Sequence, residues 1–148
     1  MERESTLEIS HPVIDYQSFE LDYWPRFAQS VTKGLPVALV FAEIMGVIKG
    51  SATSLESLAA LHREEYVTRS RRLAPTFVLD DERKRIYSVF ESYEALKTNR
   101  GEMDDVDRVI NVLKVLRRDT NVKALLGSAF DEIYIDGKGG NQTNQGDC

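Results

Sequence analysis

Cysteine occurs once in the 148 residues, at Cys148, so no disulfide framework is available and there are too few thiols for a structural zinc site. Long apolar runs are also missing. None approaches the ~20 residues needed to cross a bilayer, so no membrane span is predicted. The opening "MERESTLEIS" carries charges where a secretory leader needs an apolar stretch. An intracellular chain, nuclear or cytoplasmic and not secreted, is expected. Histidine is scarce: His11 and His62 stand far apart without metal-ligand spacing, which leaves them surface or capping roles. A phosphate loop is absent as well, because Glu132 and Gly139 flank Gly137-Lys138 where that loop needs a glycine and a hydroxyl.

Positive charge is in deficit, with 19 Lys and Arg against 24 Asp and Glu, a net charge of -5. The chain as a whole therefore does not attract polyanions. Any nucleic-acid contact must come from a local patch, and the candidates are Arg69, Arg71 and Arg72 in "RSRR" with Arg83, Lys84 and Arg85 in "RKR". Arg117 and Arg118 form a third basic pair. The ordinary reading of all three is a solvated helix face.

A chain of this length fits one domain and hides roughly two-thirds of its unfolded surface on folding. Its patterning is mostly helical. Asp15 is placed to cap a helix carrying Phe19, Tyr23 and Trp24 on one side, with Pro25 ending it. "KGLPVALVFAEIMGVIKG" predicts an apolar helix with Pro36 in its first turn, Leu39, Val40, Ile44, Val47 and Ile48 at helical spacing, and Gly50 as the stop. Only Glu43 and Lys49 interrupt it, and Glu43 must be half-exposed or paired, since an unpaired buried carboxylate is costly. Short pieces with Ser and Thr caps follow and break at Pro75. From Asp80 to about residue 99, Ile86, Phe90, Tyr93 and Leu96 or Lys97 form a stripe behind the acidic start "DDER", with Gly101 beyond the end. A last helix from about Asp104 to Arg118 would turn Val106, Val109, Ile110, Leu113 and Leu116 inward.

"AFDEIYID" departs from this pattern. Its compact run of Phe130, Ile133, Tyr134 and Ile135 is typical of a strand buried on both faces, as in a parallel sheet. An apolar strand ending in Asp, followed by Glu, is a common way to hold magnesium and polarise a water. Asp136 fills the first place and is the candidate magnesium contact, whereas Gly137 stands where the base should be. By pattern alone a structural strand end outweighs a metal site. Residues 137–148 are too polar and glycine-rich to order themselves, so a disordered tail is expected. The acidic set "GEMDDVDRV", with Glu102, Asp104, Asp105 and Asp107, lacks calcium-loop spacing and is read as helix capping first.

In order and spacing, "FELDYWPRF", "LVFAEIMGVIKG", "REEYV", "IYSVFESYEALKTNRGEMDDVDRV" and "FDEIYID" resemble one family over about residues 13 to 136. That family is the UvrD/Rep-type superfamily-one helicase region of large fungal proteins related to TPR and ankyrin repeat-containing protein. The resemblance implies a mainly α fold: a helical bundle, the accessory insertion of a RecA-like domain, with a short β-strand near the C-terminus. It implies a partial helicase domain over residues 1–136, ending at the second helicase motif. Asp136 would match that motif's metal-associated Asp, and Asp104 and Asp107 match an acidic run ahead of it by spacing. ATP and magnesium would be cofactors of the parent family, none of them held by this chain alone, and no catalytic residue is assigned. Nucleic acid or the remainder of a helicase domain would be the partner. The expected function is a helicase fragment without its own ATPase activity, and the alternative is a non-enzymatic helical module that binds protein or nucleic acid.

Overall fold

A computed structural model of the chain describes residues 13–119 together with 121, 124 and 127. The fold is mainly α. Among the described residues, in chain order, are β1 (Val13–Ile14), α1 (Tyr16–Ser18), α2 (Gln29–Thr32), α3 (Val37–Glu43), α4 (Ala52–Ser57), α5 (Arg63–Val67), α6 (Asp80–Arg100), β2 (Met103–Asp104) and α7 (Asp105–Arg118). The chain divides into two compact units, Met1–Lys114 and Val115–Cys148. The description below concerns the first unit, together with α7, whose last turn enters the second.

Asp15 caps α1 by accepting a hydrogen bond from Ser18 N at 2.8 Å, which satisfies one of the orphan donors of a helix start. The chain then widens into a π turn over Phe19–Tyr23 and tightens at Trp24–Arg26 around Pro25. Phe19 and Tyr23 are buried. Phe19 sits among Phe41 and Tyr93, with ring centroids 5.0 and 5.4 Å away, in the tilted and edge-on geometries that ring quadrupoles favour.

The apolar helix begins where Pro36 places it, with Pro36 itself as the flanking cap residue, and α3 runs on into a π turn over Ile44–Lys49. Val40, Ile44 and Ile48 are fully buried and Val47 packs partly against them. Leu39, expected inward, is 46% exposed. It stands one residue off the line through Val40, Ile44 and Ile48, a turn of about 100° around the helix. Gly50 closes the element because the backbone approaches itself there. A Cβ on Gly50 would lie 2.3 Å from the Met45 carbonyl oxygen, whereas one on Gly46 would meet nothing within 4 Å.

α6 is the longest helix. The acids Asp80, Asp81 and Glu82 fill its first turn, and Gly101 ends it in the left-handed conformation at φ 63°. Its buried positions include Arg83, Ile86, Phe90, Tyr93 and Lys97, a spacing of three and four that makes one stripe with a cation at each end. Tyr23, Tyr66, Tyr87 and Tyr93, from three parts of the chain, are all buried core residues. After Gly101 the chain turns back, and β2 pairs in parallel with β1 in the register Val13↔Met103 and Ile14↔Asp104.

α7 differs most from expectation. Ile110 is buried, but Val109 is 48% exposed, and Val106, Leu113 and Leu116 are only half-buried. The bonds of Asp104 and Asp107, described below, fix the first turn. The predicted strand at Ile133–Ile135, Asp136 and the polar tail 137–148 lie outside the described residues.

The close approach at Gly50 gives a paired test. Gly50→Ala is expected to destabilise by about 1–3 kcal/mol, because the clash is with backbone. Gly46→Ala should be neutral or stabilise by up to about 1 kcal/mol through lost unfolded-state entropy. Urea denaturation of both variants checks this. Equal effects would show that the Gly50 contact is not a constraint.

Candidate functional site

Two lysines from distant parts of the chain meet three carboxylates inside the fold. Lys49, at the end of the α3 extension, and Lys97, in the last turns of α6, are 3% and 4% exposed, and Asp104 is 0% exposed. Asp104 Oδ2 accepts hydrogen bonds from Lys49 Nζ, from Lys97 Nζ at 3.2 Å and from the Tyr93 hydroxyl at 2.8 Å. Asp107 accepts from Lys49 Nζ at 2.7 Å through Oδ1 and from Lys97 Nζ at 2.5 Å through Oδ2. Glu94 Oε1 lies 2.7 Å from Lys97 Nζ and 3.1 Å from Lys49 Nζ. Each ammonium thus contacts three carboxylates, matching the three donors it carries.

The sequence builds this locally as well as at long range. Asp104 N donates to Asp107 Oδ2 at 3.1 Å, and Asp107 N donates to Asp104 Oδ1 at 2.9 Å. That is the reciprocal arrangement of a capping box, so the capping role expected of this acidic run is present. The two acids that start α7 are therefore the same two that hold the lysines. Lys49 and Lys97 also stand 5.9 and 5.2 Å from the Tyr93 ring centroid, within cation–π range.

Burial alone would push the Asp104 carboxyl up, but the adjacent Lys49 and Lys97 outweigh it and hold it below the usual carboxylate range. Burial would lower Lys97, yet its bonds to Asp107 and Glu94 raise it above an ordinary lysine. Burial, together with Asp104, raises the Tyr93 hydroxyl, so it stays a donor. Glu94, Asp104 and Asp107 have carboxylate oxygens within 4.8 Å of one another, a donor set suited to a hard cation. Here two ammoniums already occupy that role. A cavity of about 360 Å³ opens beside the cluster, lined in part by Lys49, Glu94, Lys97 and Asp107.

A second buried cation lies toward the other end of α6. Arg83 donates to the carbonyls of Phe77 at 2.7 Å, Ala74 at 2.8 Å and Val67 at 3.0 Å, and also to that of Arg69. Val67 is the last residue of α5, so the guanidinium supplies donors and positive charge to that helix end. Nearby Glu43, 2% exposed, accepts from the Tyr66 hydroxyl at 3.1 Å. Burial raises the Glu43 carboxyl, with Tyr66 and Arg83 pulling the other way. Glu43 is thus paired and buried, one of the two states its sequence context allows.

This separates the basic candidates. Arg83 is only 3% exposed and spends its donors on backbone, so it presents no surface to nucleic acid. Arg85 donates to the carbonyls of Val31 and Lys33 and ties α6 to α2. Arg69 donates to Thr53 Oγ1 at 3.1 Å. Arg71, Arg72 and Lys84 are exposed. His62 flanks the start of α5, its backbone N donating to Glu65 Oε2 at 3.0 Å, while His11 lies outside the described residues. Asp136, the candidate magnesium contact, lies outside them too.

The sequence reading missed the lysine pair. Its one signal was Lys49 within an otherwise apolar segment, facing an acidic run of unassigned partners.

Asp104→Asn is expected to cost about 3–5 kcal/mol at pH 7, because it leaves buried ammoniums under-compensated. Since the folded carboxyl titrates below its unfolded value of ~3.9, its contribution is complete above that pH and is lost as pH falls through the folded value. Stability from urea unfolding between pH 2 and 7 should show a steep acid limb in the wild type and a shallower one in the variant. Identical limbs would contradict the assignment.

In comparison with known proteins, no family model matches the chain, and no solved structure matches it. It is 29% identical over 127 residues to human TPR and ankyrin repeat-containing protein 1, a match covering 83% of the chain and 4% of that protein. The human protein's name specifies TPR and ankyrin repeats and no helicase. This corrects the UvrD/Rep-type reading: a helicase fragment is not supported, and the ATP and magnesium expected of its parent family rested on that resemblance alone. The chain is similar to a small part of a large repeat-containing protein, and the interaction-module alternative fits that finding better.

Proposed function

We propose that the chain is a non-enzymatic helical module that binds protein. The observation carrying this reading is α7, whose Val109 and Val112 are 48% and 57% exposed. These residues stand three apart and so share one side of the helix. A shallow cleft lined by Asp105, Arg108, Val109, Val112 and Leu113 runs along it. Contiguous exposed apolar surface rimmed by charge is the usual mark of a protein-binding face.

The relative's name supports the same class, since TPR and ankyrin arrays present helical surfaces to partners. The helices here run from 3 to 21 residues, unlike the even pairs of a TPR, so the module is not itself read as such a repeat. No helix among the described residues is long and apolar enough to cross a membrane. Nucleic-acid binding is the lesser reading, because two of the six basic candidates are committed to backbone carbonyls.

A photo-reactive benzoylphenylalanine at position 112, compared with one at exposed Leu21, tests the surface. A discrete protein adduct from position 112 only, resistant to nuclease and abolished by Val109→Asp, is expected. Val109→Asp itself should change stability by no more than about 0.5 kcal/mol. A nuclease-sensitive adduct that weakens steeply with salt would point to nucleic acid instead.

A further inference from the structure

We propose that Ser70 is a phosphorylation site, taking a phosphoryl group from a nucleoside triphosphate by way of a protein kinase that selects basic substrates. The inference goes beyond the protein-binding reading and concerns a different part of the first unit from α7. Ser70 lies between α5 and α6, where residues 68–79 form turns and irregular chain, and Ser70 itself is exposed. Surface segments without regular structure are where a modifying enzyme can seat a chain.

The hydroxyls around the basic run differ in what they already do. Thr68 Oγ1 donates to the Glu64 carbonyl at 2.7 Å, Thr53 Oγ1 accepts from Arg69, and Ser88 Oγ donates to the Lys84 carbonyl at 3.1 Å. The Ser70 hydroxyl has no hydrogen-bond partner among the described residues. Only its backbone is engaged: the Ser70 carbonyl accepts from Leu73 N and Ala74 N, each at 3.0 Å, and so closes a turn that leaves the side chain outside.

Charge selects the enzyme. Arg69 precedes Ser70, Arg71 and Arg72 follow it, and residues 66–79 contain no acid to cancel them. Arg69 spends a donor on Thr53, but Arg71 and Arg72 are exposed and make no hydrogen bond or ion pair among the described residues. Guanidiniums that the fold does not use are available to carboxylates in a kinase cleft. In the transfer, the Ser70 hydroxyl oxygen bonds to the γ-phosphorus as the bond to the β,γ-bridging oxygen breaks. The nucleoside diphosphate leaves with that electron pair, and the hydroxyl proton passes to a base of the kinase. The product carries about 1.5–2 negative charges between free guanidiniums, which suit it with charge-assisted hydrogen bonds. Most of the local positive charge is thereby switched off.

The test treats the intact 148-residue chain with ATP and the catalytic domain of a kinase that selects arginine around serine, followed by intact mass and fragment mapping. A single phosphate at Ser70 is expected. Ser70→Ala, at an exposed side chain and so close to neutral for stability, should abolish incorporation. Replacing Arg71 and Arg72 together, Arg71→Gln with Arg72→Gln, should lower kcat/KM about tenfold or more, as the loss of two charge-assisted contacts predicts. A phosphorus NMR titration of the modified chain should place the second phosphate ionisation below its ordinary value of ~6, and the arginine double variant should restore that value. Phosphate mapped in preference to Thr68, Thr76 or Thr98, incorporation that survives Ser70→Ala, no incorporation, or a rate indifferent to the arginine pair would each overturn the proposal. Cross-linking at position 112 reads a separate surface, so the two readings fail separately.

Discussion

Asp104 is a fully buried carboxylate bound by two lysines and a tyrosine, and the tertiary arrangement of the first unit follows from keeping it compensated. Leaving such a charge alone in a protein interior would cost several kcal/mol. Lys49 arrives from the apolar α3 segment and Lys97 from α6. Asp104 lies on β2, where it pairs with Ile14 near the start of the described chain. Four parts of the sequence are therefore held at one point. A network that is satisfied throughout favours one packing over its competitors, because any slip strands a charge.

The same logic explains α6. Its buried stripe begins with Arg83 and ends with Lys97, and the apolar and aromatic residues between them form the core. Arg83 gathers the carbonyls of Val67, Arg69, Ala74 and Phe77 from a segment with little regular structure. One helix thus organises a loop at one end and a helix start at the other.

Much of this was legible from residue order. Asp15 as a cap, the run through Ile44 and Ile48, the span of α6 with Gly101 beyond it, and the capping role of Asp104 and Asp107 all follow from local rules, and local geometry bears them out. Three things did not follow. Leu39 lies about 100° around the helix from the line through Val40, Ile44 and Ile48, and whether that flank is covered depends on what packs against it. The lysine pairing spans 55 residues from Lys49 to Asp104 and depends on tertiary contact alone. The exposure of Val109 depends on what packs against α7, so an amphipathic pattern read as core turned out to face outward. The helicase reading had leaned on a strand and on Asp136, beyond the described residues, and comparison with known proteins gave it no support.

The most direct measurement of the central claim is a double-mutant cycle on Lys49→Met and Asp104→Asn, read by urea unfolding at pH 7. A buried, mutually compensating pair predicts that the double variant loses much less than the sum of the singles, with a coupling of about 1.5–3 kcal/mol. Additive losses, within about 0.5 kcal/mol, would contradict the idea that this carboxylate and its lysines organise the fold.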